Sequence, residues 1–285
     1  MAINAQAVLP AANRVRALIL ASHPVPSVAV TALSTLLAAE AAPHGIGPVL
    51  TAPAMLAGQL SVGWSNDAID AARDAAVGRT DKPAATGAIS VRGLWIAAVV
   101  APVAALVMAL AIGPVTLLVL AVATGAGWAY NAGLKGTAAS GLMYMIGVGL
   151  VPAYAASTLP GHPAPSWPVT VAAALLGLGA HFANVLPDLA ADEATGVRGL
   201  PQLVAARWGA ATVRVLALIP LLAASVLLVV AARPDRRWAA IAGLAVAVVL
   251  AAFGARGSGK VPFLAAIGIA AIDVVLLAVG VEALT

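Results

Sequence analysis

Two clusters of acidic and amide side chains stand out in a chain that is otherwise very apolar. The first acidic cluster is Asn66, Asp70 and Asp74, and the second is Asn184, Asp188 and Asp192. Both have the spacing Asn-x-x-x-Asp-x-x-x-Asp, and each residue of the second lies 118 positions after its counterpart (66 to 184, 70 to 188, 74 to 192). Because only 9% of the residues are charged, two matching clusters indicate one shared chemical task.

On a helix, this spacing places each cluster on a single face. Residues at i, i+4 and i+8 form a slowly drifting stripe, so each cluster presents one amide oxygen and two carboxylates in one direction. Two such stripes facing each other would repel unless a cation lay between them. Mg²⁺ takes oxygen ligands from one or two carboxylates and completes its shell with water and substrate phosphates. The chain has no cysteine, and neither cluster contains histidine, which disfavours zinc.

Basic residues accompany both clusters. Arg79 and Lys82 follow the first, Arg198 follows the second, and Lys135 ends an apolar segment shortly after Tyr130. Carboxylates alone would suggest a metal-binding or metal-transport site, whereas carboxylates beside cations suggest a metal-bridged polyphosphate. The surrounding apolar segments would hold a lipid tail, so a diphosphate on a long hydrocarbon fits all three features. Loss of diphosphate from an allylic carbon would then leave a carbocation for a nucleophile to capture.

The elements that must position these residues are membrane helices. The 285-residue chain is 62% hydrophobic and has a mean hydropathy of +1.02, whereas a soluble domain is roughly half apolar. The alternation that a membrane barrel needs is missing, so we predict an all-α integral membrane protein. Nine apolar segments, each near the ~20 residues that cross a bilayer, span residues 24–41, 47–66, 93–112, 114–132, 138–157, 167–186, 210–231, 237–254 and 262–283.

The lysine and arginine distribution predicts the orientation of these segments. Most basic residues fall in the joints on the N-terminal side, whereas Arg233, Arg236 and Arg237 fall on the other. By the positive-inside rule the N-terminus is inside and the C-terminus outside, so both clusters belong to one cytoplasmic cap. Arg73 and Arg92 are interpreted as topology determinants. Residues 1–12 are predicted to be disordered, and the Ala- and Arg-rich composition suggests a bacterial plasma membrane.

Three motifs resemble those of the UbiA superfamily of intramembrane prenyltransferases. Asn66-Asp67-x-x-Asp70-x-x-x-Asp74 resembles its first aspartate-rich motif. Asn184-x-x-x-Asp188-x-x-x-Asp192-x-x-x-Gly196, followed by Arg198-Gly199-Leu200-Pro201, resembles the second. Tyr130-Asn131-Ala132-Gly133-Leu134-Lys135 resembles the stretch that ends the fourth helix of the family. The resemblance covers nearly the whole chain, residues 1–285, as one domain, and the 118-residue offset suggests duplicated halves at about 24–135 and 138–260.

The resemblance implies a bundle of nine transmembrane helices around a central cavity, with a cytosolic polar cap. It also implies Mg²⁺-dependent transfer of a prenyl group from a prenyl diphosphate to an aromatic or other lipophilic acceptor. The implied Mg²⁺ ligands are Asn66, Asp70, Asp74, Asn184, Asp188 and Asp192. The implied diphosphate-binding residues are Arg79, Lys82, Lys135, Arg198 and Tyr130. Asp67, Asp70 and Asp188 are the predicted catalytic residues, with Asp67 as a third metal-side ligand or a base.

Four further residues are candidates for the cavity or the acceptor site: His23, Trp64, His181 and Asp273. Many family members have Arg-Pro entering the first helix, whereas this chain has His23-Pro24, so a cationic anchor for a carboxylated acceptor is not assured. His181 lies one turn before Asn184, and a structural role is its competing interpretation. Asp273 is an intramembrane carboxylate, which is a functional candidate by default, although a hydrogen-bonded packing role competes.

Other functions stay open at this stage. A terpene cyclase of the same family would ionise a prenyl diphosphate and close it on itself without an acceptor, and a branch acting on a phosphosugar donor ranks lower. A non-enzymatic divalent-cation carrier would distribute its acids along a path through the membrane, whereas here they concentrate in the two clusters. The few charges argue against a nucleic-acid partner. The acceptor and the prenyl chain length are not marked by any motif.

Overall fold

The computed structural model describes residues 11–41, 46–189, 192 and 196–279, and its elements within these ranges are all helices. The all-α prediction is therefore confirmed for this part of the chain. Residues 1–10 of the predicted disordered segment and residues 280–283 of the ninth apolar segment lie outside the described residues.

Twelve α-helices make up the described chain, and a 3₁₀ turn at Leu134–Gly136 follows the fifth. The helices are α1 (Ala11–Ala21), α2 (Pro24–Ala41), α3 (Ile46–Ala76), α4 (Val91–Ile112), α5 (Pro114–Ala132), α6 (Ser140–Gly149), α7 (Val151–Ser157), α8 (Trp167–Val185), α9 (Leu200–Trp208), α10 (Ala210–Ala231), α11 (Arg237–Arg256) and α12 (Val261–Val279).

The predicted count of nine membrane crossings is not confirmed by the described residues. Among the described residues, seven helical spans are long and apolar enough to cross a bilayer: α4, α5, α6 with α7, α8, α10, α11 and α12. The bent pair of α1 and α2 makes an eighth if it counts as one span. The predicted segment 138–157 is divided at Leu150, where α6 ends and α7 begins.

The bend between α1 and α2 turns the chain by 67°. It occurs at His23, whose φ of 52° lies in the left-handed region. Non-glycine residues are uncommon there, although Asn, Asp and His are enriched among them. On the facing helix, a Cβ on Gly63 would lie 2.4 Å from the carbonyl oxygen of Ser22. The absence of a side chain at position 63 therefore allows the bend to pack directly on the α3 backbone.

α3 is the longest helix and carries the first acidic cluster on its last turns. Its 31 residues extend about 46 Å at a rise of about 1.5 Å per residue, which exceeds the hydrocarbon thickness of about 30 Å. The predicted crossing ends at residue 66, but the helix continues without interruption to Ala76. Asn66, Asp70 and Asp74 therefore share one rigid element beyond the apolar stretch.

The second acidic cluster is not on one continuous helix. α8 ends at Val185, and Leu186 to Asp188 form a turn. The reason is Pro187, which has no backbone N–H and cannot extend the helical hydrogen-bond ladder. Helical bonding resumes when the Asp192 N–H donates to the Asp188 carbonyl at 2.8 Å. The predicted single stripe is thus correct for the first cluster and interrupted in the second.

A close backbone contact fixes α8 against α6. A Cβ on Gly177 would lie 2.4 Å from the carbonyl oxygen of Tyr144, so only glycine permits this approach. His181 lies one turn further along α8, on the same face. The contact therefore sets how the His181 ring meets Tyr144 in the site described below.

Candidate active site

The two carboxylates of the first acidic cluster are buried and ion-paired. The Lys135 ammonium group, from the turn after α5, donates a hydrogen bond to Oδ1 of Asp70. The Arg73 guanidinium group lies 3.2 Å from Oδ2 of Asp70 and 3.4 Å from Oδ1 of Asp74. Both acids are largely shielded from solvent, so the cations of the chain itself neutralise a cluster that would otherwise repel itself.

The amide of the first cluster is held by a second asparagine. The side-chain nitrogen of Asn66 donates to Oδ1 of Asn131 at 3.1 Å. The side-chain nitrogen of Asn131 in turn donates to the Val62 carbonyl at 2.8 Å and to the Ser65 hydroxyl at 2.9 Å. Because Asn66 uses its nitrogen in this network, its amide oxygen is the atom that remains for a ligand.

Asp67 has different ion-pair partners from Asp70 and Asp74 on the same helix. Its side chain is 1% exposed, and Oδ1 accepts from Nζ of Lys82 at 2.7 Å and lies 3.2 Å from Nε2 of His23. Burial raises the pKa of Asp67, but the hydrogen bonds to His23 and Lys82 outweigh it and hold the pKa below its usual value. Its Oδ2 atom is buried without a hydrogen-bond partner among the described residues.

Asp67, Lys82 and His23 form a triad of contacting side chains, although the sequence predicted a different role for each. Lys82, a predicted diphosphate ligand, also lies 3.1 Å from Nε2 of His23, a candidate acceptor residue. The three side chains come from the bend before α2, from α3 and from the loop after α3. The triad therefore connects the α1–α2 bend to the loop that carries Arg79.

Arg79 pairs with Asp81 and also interacts electrostatically with acids of both clusters. Its guanidinium group donates two hydrogen bonds of 2.8 Å to the Asp81 carboxylate, which lowers the pKa of Asp81 to about 2. The same bonds raise the pKa of Arg79 above its ordinary value, with further contributions from the charges of Asp188 and Asp74. One predicted diphosphate ligand is therefore within electrostatic range of both acidic clusters.

The second cluster is more open than the first. Asn184 and Asp188 are exposed, and Asp192 is half-buried. Nε2 of Gln202 donates to Oδ2 of Asp192 at 2.7 Å. Burial raises the pKa of Asp192, Asp188 adds to this, and the positive charge of Arg73 opposes it. The charge of Arg73 thus acts on acids of both clusters.

The segment after the second cluster packs on the segment that holds Lys135. A Cβ on Gly199 would lie 2.5 Å from the Lys135 carbonyl oxygen, and the Leu200 N–H donates to the Ser140 hydroxyl at 2.9 Å. Arg198, which precedes Gly199, is exposed. The predicted diphosphate residues Arg198 and Lys135 are therefore on neighbouring backbone segments.

Aromatic rings lie beneath the clusters. The ring centroid of Tyr130 is 5.2 Å from that of Tyr144 and 5.9 Å from that of His181, and the Tyr144 and His181 centroids are 4.7 Å apart. Tyr130 is also within electrostatic range of Asp192 and Asp70, one from each cluster. The aromatic group is therefore within electrostatic range of one acid from each cluster.

Two of the candidate cavity residues have other partners. Nε1 of Trp64 donates to the Leu18 carbonyl at 2.9 Å, which ties α3 to α1, and Trp64 lines an apolar groove of about 230 Å³ beside the α1–α2 bend. Asp273 on α12 accepts a hydrogen bond of 2.6 Å from the Ser225 hydroxyl on α10. These contacts do not bring either residue into the acidic clusters.

Four residues of the site were not assigned a role there by sequence reasoning: Arg73, Asn131, Ser140 and Gln202. Arg73 was interpreted as a topology determinant, although it lies between two cluster acids in the sequence. Asn131 was visible as a polar residue next to Tyr130 at the end of an apolar segment. Ser140 and Gln202 carried no signal, because their partners lie on other helices.

The donor set fits a hard divalent cation, although it is not gathered around one point. Among the described residues, no group of three or more histidine, cysteine or acidic side chains is assembled as a metal site. The acids of the first cluster hold Lys135 and Arg73 instead, and their oxygens, with that of Asn66, are the type that Mg²⁺ prefers. A cation entering here would replace these basic groups as partner of the same oxygens.

Comparison with known proteins gives one family and one fold. Residues 27–272 match the sequence model of the UbiA prenyltransferase family. No curated protein matches the sequence with significance.

Several solved structures share the fold at low sequence identity. A UbiA homologue from Archaeoglobus fulgidus bound to DMAPP and Mg²⁺ is 16% identical, with a TM-score of 0.70 over 92% of this chain and 99% of that one. A structure described for digeranylgeranylglyceryl phosphate synthase is 13% identical, with a TM-score of 0.69 over 94% and 98%. An apo UbiA homologue from Aeropyrum pernix K1 is 19% identical, with a TM-score of 0.64 over 89% and 97%.

Proposed function

Because this chain belongs to the UbiA prenyltransferase family, we propose that it transfers a prenyl group from a prenyl diphosphate to an aromatic or other lipophilic acceptor, with Mg²⁺ as cofactor. The observation that carries the proposal is that basic residues link the two acidic clusters electrostatically. Arg73 pairs with Asp70 and Asp74, and its charge also acts on Asp192. The charges of Asp74 and Asp188 both act on Arg79. The A. fulgidus homologues, which share the fold, were bound to DMAPP or GPP together with Mg²⁺.

The metal ligands in this proposal are the two acidic clusters. When bound, Mg²⁺ supplies positive charge that stabilises the diphosphate oxygens as the leaving group departs. Asn66, Asp70 and Asp74 would hold it from α3, and Asn184, Asp188 and Asp192 from the end of α8 and the segment after it. The exposed Asp188 is available to a metal without the loss of an existing ion pair, in contrast to Asp70.

The basic residues change partner in this scheme. Lys135 and Arg73 now neutralise Asp70 and Asp74. Once a metal takes those carboxylates, the same two cations are left beside a bound diphosphate, to which they can donate charge-assisted hydrogen bonds. Arg79 makes the same exchange if it leaves Asp81. The ion pairs of Lys135 and Arg73 thus limit the repulsion between the acids, and each can be exchanged for a metal on the carboxylate and a diphosphate oxygen on the cation.

The transfer itself breaks one bond and forms one. The C–O bond between the allylic carbon and the diphosphate breaks, and its electron pair stays on the oxygen of the leaving group. The acceptor nucleophile forms a new bond to the allylic carbon and loses one proton, which the released diphosphate or a water molecule carries away. The rings of Tyr130 and Tyr144 lie next to the clusters, where their faces can stabilise the intermediate cation.

The decisive test measures consumption of radiolabelled DMAPP and GPP by the purified protein in lipid nanodiscs, with Mg²⁺ and lipids extracted from source membranes. We expect prenylated lipid from the wild type and none from Asp70→Asn. The matched control is Asp235→Asn, because Asp235 also pairs with arginines but lies in the loop between α10 and α11. No consumption by the wild type with any prenyl diphosphate from five to twenty carbons would overturn the proposal.

Omission of the lipid extract distinguishes the family alternatives. A cyclic hydrocarbon formed from prenyl diphosphate alone would identify a cyclase in place of a transferase. Flux of Mg²⁺ into sealed liposomes without any lipid substrate would instead support a cation carrier.

A further inference from the structure

His181 is buried beside the acidic clusters and is only half satisfied. It lies on the last turns of α8, is 1% exposed, and its Nε2 atom is 2.9 Å from the Ser140 hydroxyl. The other ring nitrogen, Nδ1, is buried without a hydrogen-bond partner among the described residues. A buried polar group without a partner destabilises the fold, so Nδ1 of His181 is an atom that a ligand could bind favourably.

The contacts of Ser140 determine which nitrogen of His181 carries the proton. The Leu200 N–H donates to the Ser140 oxygen at 2.9 Å, so this oxygen already accepts one hydrogen bond. The one acceptor that the described residues offer to the Ser140 hydroxyl hydrogen is Nε2 of His181. With Nε2 as the acceptor, the Ser140 hydroxyl hydrogen has a partner, whereas an Nε2–H donor would use the second lone pair of the oxygen and leave that hydrogen without one. This satisfaction of Ser140 assigns the proton of the neutral imidazole to Nδ1. The unpartnered atom is therefore a hydrogen-bond donor.

This tautomer suits a residue beside a carbocation. The lone pair of Nε2 is occupied by the Ser140 hydroxyl, and Nδ1 has no lone pair in the ring plane because it carries the proton. The imidazole therefore offers no free nitrogen for alkylation by an allylic cation. It also cannot accept a proton at Nδ1, which argues against a role as general base.

The surroundings indicate what this donor would bind. Apart from Tyr130, the diphosphate-binding candidates are charged groups, whereas His181 lies among the rings of Tyr130, Tyr144 and Phe182. A single neutral donor in an aromatic setting suits a neutral oxygen on a ring-shaped ligand better than a polyanion. Tyr130 is also within electrostatic range of Asp70 and Asp192, so the group is adjacent to the place proposed for the diphosphate.

We infer that His181 is an acceptor-positioning residue that donates a hydrogen bond from Nδ1 to a hydroxyl or carbonyl oxygen of the prenyl acceptor, with Ser140 fixing its tautomer. The inference rests on the proposed function and deepens it by assigning a polar, oxygen-bearing acceptor. His181 therefore acts when the acceptor captures the prenyl cation and has no role in ionisation of the prenyl diphosphate.

The tautomer is tested by NMR without any substrate. In protein labelled with ¹⁵N-histidine, four histidines give signals, and His181→Asn identifies the one in question. His162 is an internal reference, because its Nδ1 is 2.7 Å from the Ser157 carbonyl and must carry a proton. We expect His181 to match that Nδ1–H pattern in the wild type and to lose it in Ser140→Ala. An Nε2–H tautomer in the wild type would overturn the inference.

The acceptor role is tested by the fate of the prenyl group. Source membranes that supply the acceptor are incubated with Mg²⁺ and radiolabelled DMAPP or GPP, and prenylated lipid is measured against the prenyl alcohol formed when water captures the cation. We expect His181→Phe, which keeps a flat ring without a donor, to lower the lipid-to-alcohol ratio about tenfold or more. His181→Asn places an amide N–H near the position of Nδ1 and should restore most of the ratio.

Each remaining outcome decides the matter. An unchanged ratio in His181→Phe would show that the acceptor does not need this donor. An equal fall of lipid and alcohol would place His181 in ionisation or in folding and would likewise contradict the inference. A wild type that consumes no prenyl diphosphate would overturn the proposed function and this inference together, which distinguishes the two failures.

Discussion

The ammonium group of Lys135 is hydrogen-bonded to Oδ1 of Asp70, a residue 65 positions earlier in the chain. Both side chains are mostly buried, at 18% and 9% exposed. Lys135, a proposed diphosphate-binding residue, and Asp70, a proposed metal-binding residue, thus neutralise each other. A metal alone must displace Lys135 from Asp70, and a diphosphate alone must displace Asp70 from Lys135. When both bind, the Lys135–Asp70 pair is replaced by two: Asp70 with the metal and Lys135 with the diphosphate.

Replacing Lys135 with methionine should therefore have opposite effects on the two ligands. Asp70 loses its competing cation, so Mg²⁺ alone should bind about tenfold more tightly, while a non-reactive prenyl thiolodiphosphate should bind at least about tenfold more weakly. Isothermal titration calorimetry of each ligand separately measures both changes. Lys260→Met, at an exposed lysine before α12, is the control and should alter neither. Weaker Mg²⁺ binding in Lys135→Met would contradict the exchange of partners.

The triad of Asp67, Lys82 and His23 should be important for stability. Asp67→Asn leaves the largely buried Lys82 ammonium group without its carboxylate, which we expect to cost about 3 kcal/mol. Asp81→Asn breaks the ion pair of Asp81 with Arg79 at the surface and should cost less than about 1 kcal/mol. Denaturant unfolding in detergent micelles, followed by tryptophan fluorescence, measures both. Equal losses of unfolding free energy in the two variants would show that the triad stabilises the protein no more than the surface pair does.

Asp188 and Asp70 should differ in how their loss affects the protein. Asp188 is exposed, so Asp188→Asn should abolish prenyl-diphosphate consumption and leave the midpoint of thermal unfolding unchanged. Asp70→Asn should also abolish consumption, but it leaves Lys135 without its partner and should lower the midpoint by several degrees. Retained consumption of prenyl diphosphate in both variants would show that the reaction does not need the acidic clusters.

The contact of α8 with α6 should depend on Gly177. A methyl group there would lie 2.4 Å from the backbone oxygen of Tyr144, so Gly177→Ala must separate the two helices, at about 1–3 kcal/mol. Gly147→Ala on α6 is the matched control, because a Cβ there has no neighbour within 4 Å. Thermal unfolding measures the difference. The His181 signal in the labelled protein should shift in Gly177→Ala and remain in place in Gly147→Ala.

The hydropathy of the chain was enough to predict its class. Long apolar runs predict membrane helices because a helix satisfies its backbone hydrogen bonds internally and must only match the bilayer in length. The boundaries of α4, α5, α8 and α10 agree closely with the predicted segments. The count of nine is not confirmed, because α3, which carries the predicted segment 47–66, is not among the spans that are long and apolar enough to cross a bilayer in the described part of the chain.

The spacing of the two clusters and their companions also predicted the family, because those residue types recur at fixed positions along the chain. The sequence by itself therefore determined the family, and the residues that hold a metal and a diphosphate stay a prediction. Pro187 is visible in the sequence, but the spacing of the second cluster did not show that α8 ends before it. Helical bonding resumes beyond the proline, where the Asp192 N–H donates to the Asp188 carbonyl, so the Asn-x-x-x-Asp-x-x-x-Asp pattern continues across the break.

Only the tertiary structure decided the partners of these residues. Lys82 is directed to Asp67, Lys135 to Asp70 and Arg79 to Asp81, although the sequence assigned all three cations to one diphosphate. The reason is physical: an ion pair depends on the distance between groups on different helices and on their shared burial. A periodic pattern along one segment contains neither quantity. The half-satisfied state of His181 is likewise visible only where α6, α8 and the start of α9 meet.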